Sequence, residues 1–184
     1  MDYTIENISI KGINLTSADN LLLSPEFDIN ISYANPNKNM GFYYYEKDSH
    51  ITISYSTAIL CSSGNVLPSF YQPKNNVTVL ETASKCSGVK VTTTIRDSLL
   101  RDQRKSKIRL SIDISIPIRS DTEAVETTAS SILKVYCDVK VDKLAMDSKI
   151  VSEKCVLINK PWASTNYQNK GLEVSDNKLA RASY

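Results

Sequence analysis

Residues 108–116 read IRLSIDISI, a strict alternation of aliphatic and polar side chains. Successive side chains of a β-strand point to opposite faces of its sheet, so every second residue lies on the same face. One face of this segment is entirely aliphatic, and the other carries Arg109, Ser111, Asp113 and Ser115. The pattern predicts a half-buried strand in an antiparallel sheet.

The same period of two recurs along the chain. It is clear at 133–141, 27–33 and 51–55, and turn residues separate these segments from one another. Further strands are predicted at 4–10, 77–82 and 150–157. About seven strands joined by turns are typical of a β-sandwich. The sequence therefore predicts an all-β, antiparallel sandwich.

Three segments depart from this alternation. Residues 94–103 contain several good helix formers and predict one short helix between two strands. Residues 121–130 are acidic and rich in threonine, which indicates an exposed loop. The alternation stops at Lys160, and the remaining residues are polar with scattered Asn, Gly and Ser. We expect one domain over 1–159 and a flexible polar tail over 160–184.

Charge and hydropathy exclude several classes of protein. A net charge of +2 is too small to indicate a nucleic-acid-binding protein. No apolar run approaches the roughly 20 residues of a membrane-spanning helix. The first residues, MDYTIEN, lack the basic and apolar regions of a signal peptide. We expect either a soluble chain or a fragment whose membrane anchor lies upstream of Met1.

Four cysteines, an even number, permit two disulfides. If the last two long strands form a hairpin centred near Met146, Cys137 and Cys155 lie directly opposite each other, within reach of a disulfide. Cys61 and Cys86 would then pair by elimination, although no hairpin register brings them together. Reduced, buried thiols in a cytosolic protein are an equally good interpretation of the composition.

Four Asn-x-Ser/Thr triplets are candidate N-glycosylation sites, at Asn7, Asn14, Asn30 and Asn76. Asparagine, serine and threonine are frequent in this chain, so such triplets also arise by chance. The triplets are compatible with secretion but do not require it.

A cluster of basic residues follows the predicted helix and overlaps it. We call it the basic surface, and it consists of Arg96, Arg101, Arg104, Lys105, Lys107 and Arg109. Clustered positive charge raises the local potential and favours contact with anionic lipid headgroups or an acidic polysaccharide. The alternative is an ordinary solvated face, since Asp97 and Asp102 offset part of the charge. Tyr43, Tyr44 and Tyr45 are a second candidate for recognition, or else aromatic residues that pack within the sandwich.

Nothing in the sequence indicates catalysis, a cofactor or a metal site. His50 is the only histidine, and although Asp48 lies near it, no third catalytic residue is evident. The sequence contains no G-x-S-x-G, H-E-x-x-H or glycine-rich phosphate-binding segment. We expect a protein that is not an enzyme; the opposing hypothesis is an enzyme that uses His50 with a carboxylate or a thiol.

Three segments, in order, resemble the plant harpin-induced-like and non-race-specific disease-resistance family, built on the late-embryogenesis-abundant group 2 domain. They are INISYANPNKNMGFYYYE (29–46), LPSFYQPKNNVTVL (67–80), and YCDVKVD with SKIVSEKC (136–142 and 148–155). Pro36, Pro68 and Pro73 fit this resemblance physically, because proline ends strands or restricts them to sheet edges.

The resemblance implies a fibronectin-type-III-like sandwich held outside the plasma membrane by one helix upstream of residue 1. It implies a non-enzymatic role in defence, the hypersensitive response or stress, with membrane proteins, further copies of itself or the cell wall as partners. The alternative is a soluble cytoplasmic stress-protective protein with the same domain and reduced cysteines.

Overall fold

Strands make up most of the residues that the computed structural model describes, which are 1–16, 22–122 and 131–158. In chain order the elements are β1 (Asp2–Lys11), β2 (Leu22–Leu23), β3 (Glu26–Asn35), β4 (Phe42–Tyr44), β5 (His50–Tyr55), β6 (Ala58–Gly64), β7 (Phe70–Gln72), β8 (Asn76–Lys85), β9 (Val89–Lys90), α1 (Thr93–Arg104), β10 (Ile108–Ser120), β11 (Ser131–Val141) and β12 (Ile150–Leu157). The seven predicted strands are β1, β3, β5, β8, β10, β11 and β12, and the predicted helix is α1. The predicted tail at 160–184 lies outside the described residues, as does 123–130 of the predicted loop.

The prediction of about seven strands was too low, because the other five strands are short or irregular. Four of them have two or three residues, too few for a period of two to be recognised. The fifth, β6, pairs with β5 through a register shift between Ile53 and Ser54. Its neighbouring residues Leu60 and Cys61 are consequently both buried, which removes the alternation.

The first sheet has the strand order β1–β3–β8, and all neighbours are antiparallel. The pairing of β1 with β3 shifts between Ile5 and Asn7, so that Glu6 has no residue opposite it. This β-bulge moves the inward-facing positions from odd to even residue numbers. The buried side chains of β1 are therefore Tyr3, Ile5, Ile8 and Ile10.

The second sheet is built around β10. One edge of β10 pairs with β11 along eleven residues, from Ile108 opposite Val141 to Ile118 opposite Ser131. Its other edge pairs first with β5 and then, towards Ser120, with β4. Strands β12, β6 and β7 extend the sheet beyond β11, β5 and β4. The aliphatic face that the sequence predicts for β10 is at most 3% exposed and forms the centre of the core.

The two sheets pack face to face and meet along both edges. On one side Ile10 N donates to Ala145 O at 3.1 Å, and Ser148 Oγ donates to Ile8 O at 2.6 Å. These bonds hold β1 against the β11–β12 hairpin. On the other side a disulfide joins Cys61 of β6 to Cys86, which follows β8. The predicted all-β sandwich is confirmed.

Both predicted disulfides are present. Cys137 and Cys155 lie directly opposite each other on β11 and β12 and are bonded, which confirms the predicted hairpin register. Cys61 and Cys86, whose Cα atoms are 5.5 Å apart, link the two sheets. The Cys137–Cys155 disulfide links neighbouring strands within one sheet, and the Cys61–Cys86 disulfide links the two sheets.

The sandwich has two distinct ends. One end contains Met1, and we call it the N-terminal pole. There Tyr44 Oη, in β4, donates a hydrogen bond to the sulfur of Met1 at 3.1 Å. At the other end, which we call the helix pole, α1 leads into β10, and the hydrogen bond from Ile10 to Ala145 brings the end of β1 to the β11–β12 turn. β1 runs from one pole to the other, so about 30 Å of extended chain separates them.

Candidate interaction surfaces

Helix α1 holds the basic surface at the helix pole. Thr92 caps the helix by accepting a hydrogen bond from Ile95 N at 3.3 Å, as short hydroxyl side chains do at helix starts. Leu99 is completely buried and docks the helix on the core. Tyr55 Oη donates to Asp102 Oδ2 at 2.6 Å, which fixes the last turn to the end of β5. The basic side chains therefore project from a rigid base.

Half of the basic surface is neutralised by neighbouring carboxylates. Arg96 pairs with Asp97 at 3.0 Å, and Arg101 lies 3.9 Å from Asp102. Arg109 donates from Nε to Asp138 at 2.7 Å and also from Nη2.

The Arg109 guanidinium lowers the pKa of the Asp138 carboxyl, mainly through these hydrogen bonds. Arg109 is thus committed to the sheet rather than to a ligand.

The other half forms the unneutralised part of the basic surface. Arg104, Lys105 and Lys107 are exposed, and none of them makes an ion pair with a described residue. They lie within four positions of one another at the end of α1, where positive charge also interacts favourably with the helix dipole. Three adjacent cations without counter-ions are suited to a flexible, repetitive anion rather than to one small ligand.

A second surface lies on the outer face of the second sheet at the N-terminal pole. We call it the tyrosine surface, and it consists of Tyr43, Tyr45, Tyr71, Arg119 and Asp121. Tyr43 and Tyr71 lie opposite each other on β4 and β7, with ring centroids 4.8 Å apart. The Arg119 guanidinium lies 4.6 Å from the centroid of the Tyr43 ring and donates to Tyr45 Oη at 3.0 Å. Tyr71 Oη donates to Asp121 Oδ2 at 2.9 Å.

The three consecutive tyrosines thus serve two purposes. Tyr43 is exposed, Tyr45 is half-buried and Tyr44 points into the core, as a period of two requires. The tyrosine surface is pre-ordered by its internal hydrogen bonds, and exposed Tyr and Arg side chains are common at protein interfaces. The sequence indicated the tyrosines at 43–45 as a candidate recognition site. Tyr71, Arg119 and Asp121 lie beside them only because β7 and β10 pair with β4.

Beneath this surface the first two segments of the family resemblance pack together. Tyr44 stacks on Phe70 at 4.4 Å, and Tyr33 makes edge contacts with both rings at 5.5 and 5.2 Å. Asn35 Nδ2 donates to Met40 O and Pro73 O, which ties the loop after β3 to the loop after β7. Burial raises the pKa of Tyr44 to about 12, so its hydroxyl is neutral at physiological pH. These contacts stabilise the N-terminal pole.

His50 lies on the outer face of β5 and is exposed. Its Nε2 is 2.7 Å from Ser62 Oγ, which is itself 3.0 Å from Thr52 Oγ1. All four cysteine sulfurs are in disulfides, so no thiolate exists for His50 to activate. The cavity beside His50 has a volume of about 110 Å³ and includes Asp113, Lys134 and Ile158 in its lining. That volume is small for a substrate pocket.

Cys137, Glu153 and Cys155 approach one another within 4.8 Å, the separation expected of metal ligands. The disulfide, however, occupies both sulfurs, and metals bind the thiolate form of cysteine. The Glu153 carboxylate instead accepts a hydrogen bond from Ile5 N at 3.2 Å. This cluster holds β12 against β1.

The four candidate glycosylation sites differ in accessibility. Asn7, Asn14 and Asn76 are exposed, whereas Asn30, on the central strand of the first sheet, is half-buried. Asn7 and Asn30 lie directly opposite each other on neighbouring strands, so two glycans there would compete for the same space. Asn76 is the first residue of β8, at the edge of the sheet.

No helix in the described ranges has the length and apolar character needed to cross a membrane. Comparison with known proteins finds a relative among plant proteins. The chain is 32% identical over 161 residues to NDR1/HIN1-like protein 6 of Arabidopsis thaliana, an alignment that covers 84% of this chain. The chain spans 60% of the length of that relative.

No protein-family model matches the chain. Among solved structures, a protein from Archaeoglobus fulgidus aligns over 85% of this chain and 98% of its own length, with a TM-score of 0.36 and 9% identity. That likeness is too low to support a conclusion. The relationship to the plant protein, together with the ordered segments packed at the N-terminal pole, identifies this chain as a member of the NDR1/HIN1-like family of plant defence-related proteins.

Proposed function

We propose that this chain is the extracellular, non-enzymatic interaction module of a plasma-membrane-tethered plant protein that acts in defence and the hypersensitive response. Family membership supports the setting in plant defence. The two pre-ordered surfaces, at opposite poles, support a role in binding rather than in catalysis. The tether is a segment upstream of Met1, and its contribution is to hold the N-terminal pole near the membrane.

The observation that carries the proposal is the disulfide between Cys61 and Cys86. It links strands from different sheets across 25 residues of sequence, so it depends on the folded sandwich rather than on a local hairpin. Together with Cys137–Cys155 it leaves no free thiol in the chain. Disulfides of this structural kind persist in oxidising compartments and are rare in the cytosol. This favours the extracellular role over a soluble cytoplasmic stress-protective protein.

The experiment is peptide mapping of native plant material by mass spectrometry, after alkylation and without reduction. The extracellular proposal predicts linked peptides for Cys61–Cys86 and Cys137–Cys155, and glycan on at least one of Asn7, Asn14 and Asn76. Alkylated, free cysteines together with unmodified asparagines would contradict the proposal and favour the cytoplasmic alternative. Material reduced on purpose before alkylation is the control for complete labelling.

For partners, we propose that the tyrosine surface contacts a membrane-protein partner and that the basic surface contacts an acidic polysaccharide of the cell wall. The tyrosine surface lies at the pole nearest the proposed tether, where it meets other proteins of the same membrane. The unneutralised cations Arg104, Lys105 and Lys107 lie at the opposite pole, turned away from the membrane to which the chain is tethered. A wall polyanion is therefore a better partner for them than the headgroups of that membrane.

A further inference from the structure

The outer edge of β8 has no strand beside it in the described part of the chain. β8 pairs with β3 alone, over ten consecutive residues without a register shift. In such a pair the backbone N–H and C=O groups alternate in direction, so half of those on β8 point away from the sheet. Unpaired backbone groups in a row are a template for a further strand.

Among residues 1–16, 22–122 and 131–158, the hydrogen bonds and the disulfide that hold this edge lie at its two ends. At the start of β8, Gln72 Nε2 donates to Asn76 O at 2.7 Å. Near its end, Thr82 Oγ1 donates to Val66 O at 2.6 Å, and Cys86 is held by its disulfide. The residues between these anchors, 77–81, form the free segment of the edge. The anchors hold this segment extended, so little conformational freedom is lost when a partner strand pairs with it.

The other long edges carry the features that prevent strands from pairing with further chains. β1 has a bulge at Glu6, and its edge lies against the β11–β12 hairpin. β12 has a register shift where it pairs with Lys140 and Val141, and β6 has one opposite Ile53. β8 has no bulge, no proline, and no lysine before Lys85 at its end. Apart from the charge of Glu81 at its end, the free segment carries none of the devices that natural sheets use at their edges.

The side chains of the free segment are also suited to pairing. Val77 and Val79 project from one face with 61% and 47% of their surface exposed. No residue from Asn76 to Leu80 is charged. β-Branched residues opposite each other on neighbouring strands stabilise a sheet, and the uncharged stretch 76–80 does not repel a copy of itself.

We propose that β8 pairs with β8 of a second copy of this chain, antiparallel, about a two-fold axis at Thr78. In this register Val77 lies opposite the partner's Val79, and Val79 lies opposite the partner's Val77. Glu81 lies opposite the partner's Asn75, so no like charges meet. The two three-stranded sheets then form one continuous six-stranded sheet, and the identical edge on each copy makes the contact self-complementary.

The contact is short, so the association is weak and depends on concentration. Its biological setting rests on the proposed function, because tethering in one membrane raises the local concentration of copies. A glycan on Asn76 would lie beside the partner's Leu80 and block the pairing. Full glycosylation of Asn76 in native protein would therefore overturn the proposal.

The test uses the full chain with both disulfides formed and without glycans, studied by analytical ultracentrifugation over a range of concentrations. Wild type is expected to show a monomer–dimer equilibrium, and Val79→Lys to weaken it at least about tenfold, because a charge is placed in the centre of the contact. Val151→Lys is the matched control, since Val151 is similarly exposed, at 56%, on β12. It is expected to leave the equilibrium unchanged.

Thermal unfolding of each variant shows whether the fold is intact. A further variant tests the proposed register of the β8–β8 pairing. Thr78→Cys, at the two-fold axis, is expected to form an intermolecular disulfide on mild oxidation because opposed residues are within bonding distance. Ala83→Cys, on the same strand but away from the axis, is expected to form far less. The proposal would be overturned if Thr78→Cys and Ala83→Cys cross-linked equally or if wild type stayed monomeric. It would also be overturned if Val79→Lys and Val151→Lys had equal effects on the equilibrium.

These outcomes are independent of the proposed extracellular function. A monomeric wild type with mapped disulfides and glycans overturns the strand pairing alone. A self-pairing chain whose native form has free thiols and no glycan overturns the extracellular role alone. If β8 instead captures an extended segment of another protein while wild type remains monomeric, the commitment to a second copy is wrong.

Discussion

At the scale of single residues, the two glycines with positive φ differ in their surroundings. Gly12 has a φ of +73°, and a Cβ added there would lie 1.9 Å from the Ser24 carbonyl oxygen. Gly88 has a φ of +67°, and its Cβ would meet nothing within 4 Å. Both positions require a backbone conformation that costs other residues about 1–2 kcal/mol. Only Gly12 adds a collision with backbone that cannot move aside without shifting the start of β3.

We therefore predict that Gly88→Ala lowers the free energy of unfolding by about 1 kcal/mol, and that Gly12→Ala lowers it by at least about 3 kcal/mol. The measurement is urea unfolding followed by circular dichroism, under conditions that keep the disulfides intact. Gly88→Ala is the matched control, because it isolates the cost of the positive φ from the cost of the collision. Equal losses in the two variants would show that the approach of Gly12 to Ser24 is not tight in solution.

The residue scale also shows why the sequence drew attention to Tyr43, Tyr44 and Tyr45 but not to the other residues of the tyrosine surface. Alternation around Tyr44 assigns Tyr43 and Tyr45 to the opposite face, given that one tyrosine enters the core. Tyr71 and Arg119 reach this surface from strands that are 28 and 76 residues further along the chain than Tyr43. No local pattern encodes which strands become neighbours, so their contact is a property of the tertiary structure.

At the scale of elements, the two disulfides constrain different parts of the sandwich but close loops of similar length. The separations are 25 residues for Cys61–Cys86 and 18 for Cys137–Cys155. In the chain-entropy model, loops of these lengths stabilise the fold by about 3 kcal/mol each. β11 and β12 are additionally joined to each other by a hydrogen-bond ladder, whereas β6 and β8 lie in different sheets and no ladder joins them.

We predict that Cys61→Ala with Cys86→Ala lowers the free energy of unfolding by about 3 kcal/mol. The double variant Cys137→Ala with Cys155→Ala is the comparison, with a similar expected loss. Urea unfolding measures both. The entropic account would be contradicted if removal of the cross-sheet disulfide cost less than about 1 kcal/mol while removal of the hairpin disulfide cost the full amount.

The alternation of apolar and polar residues predicted some strands of the sandwich and missed others. It located β10 and β11 because each is long and alternates without interruption over its core-facing side. It did not predict which side chains of β1 face the core, although a strand was predicted there, because the bulge at Glu6 exchanges the two faces in mid-strand. It missed β4 and β7, whose three residues carry too little pattern and whose existence depends on each other and on β10.

At the scale of the whole molecule, the basic surface and the chain start lie at opposite poles. β1 begins beside Tyr44 and ends beside the β11–β12 turn, near the element that carries Arg104, Lys105 and Lys107. This polarity bears on the choice between a lipid and a polysaccharide for the basic surface. The tether that we propose at the N-terminal pole would keep the three cations about 30 Å from the membrane, several times the screening length of about 8 Å at physiological salt.

We predict that Arg104→Gln, Lys105→Gln and Lys107→Gln together weaken binding to polygalacturonate by roughly tenfold or more, because none of the three cations is paired with a carboxylate of the described ranges. Replacement of Lys38, Lys47 and Lys74 by Gln is the charge-matched control, as these exposed lysines lie towards the N-terminal pole. It is expected to change binding little. Binding is measured at rising salt, which should weaken wild type and remove the difference between the variants.

The outcome that contradicts this prediction is equal weakening by both sets of substitutions, or binding that salt does not affect. Preference for vesicles with anionic headgroups over the polysaccharide, measured with the chain free in solution, would favour the lipid as partner. Each result is independent of the strand pairing at β8, because Val79→Lys leaves all six basic residues in place.

The sequence by itself determined the sandwich class, the seven principal strands, the helix and the hairpin that opposes Cys137 to Cys155. These features follow from local geometry, since a period of two and a hairpin register are set by residues close together in the chain. Only the tertiary structure decided that Cys61 reaches Cys86, that Tyr71 and Arg119 meet Tyr43, that no strand of the described ranges pairs with the outer edge of β8, and that the cations face away from Met1. Those outcomes depend on the order in which distant strands pair and on how the two sheets face each other, which no short stretch of residues specifies.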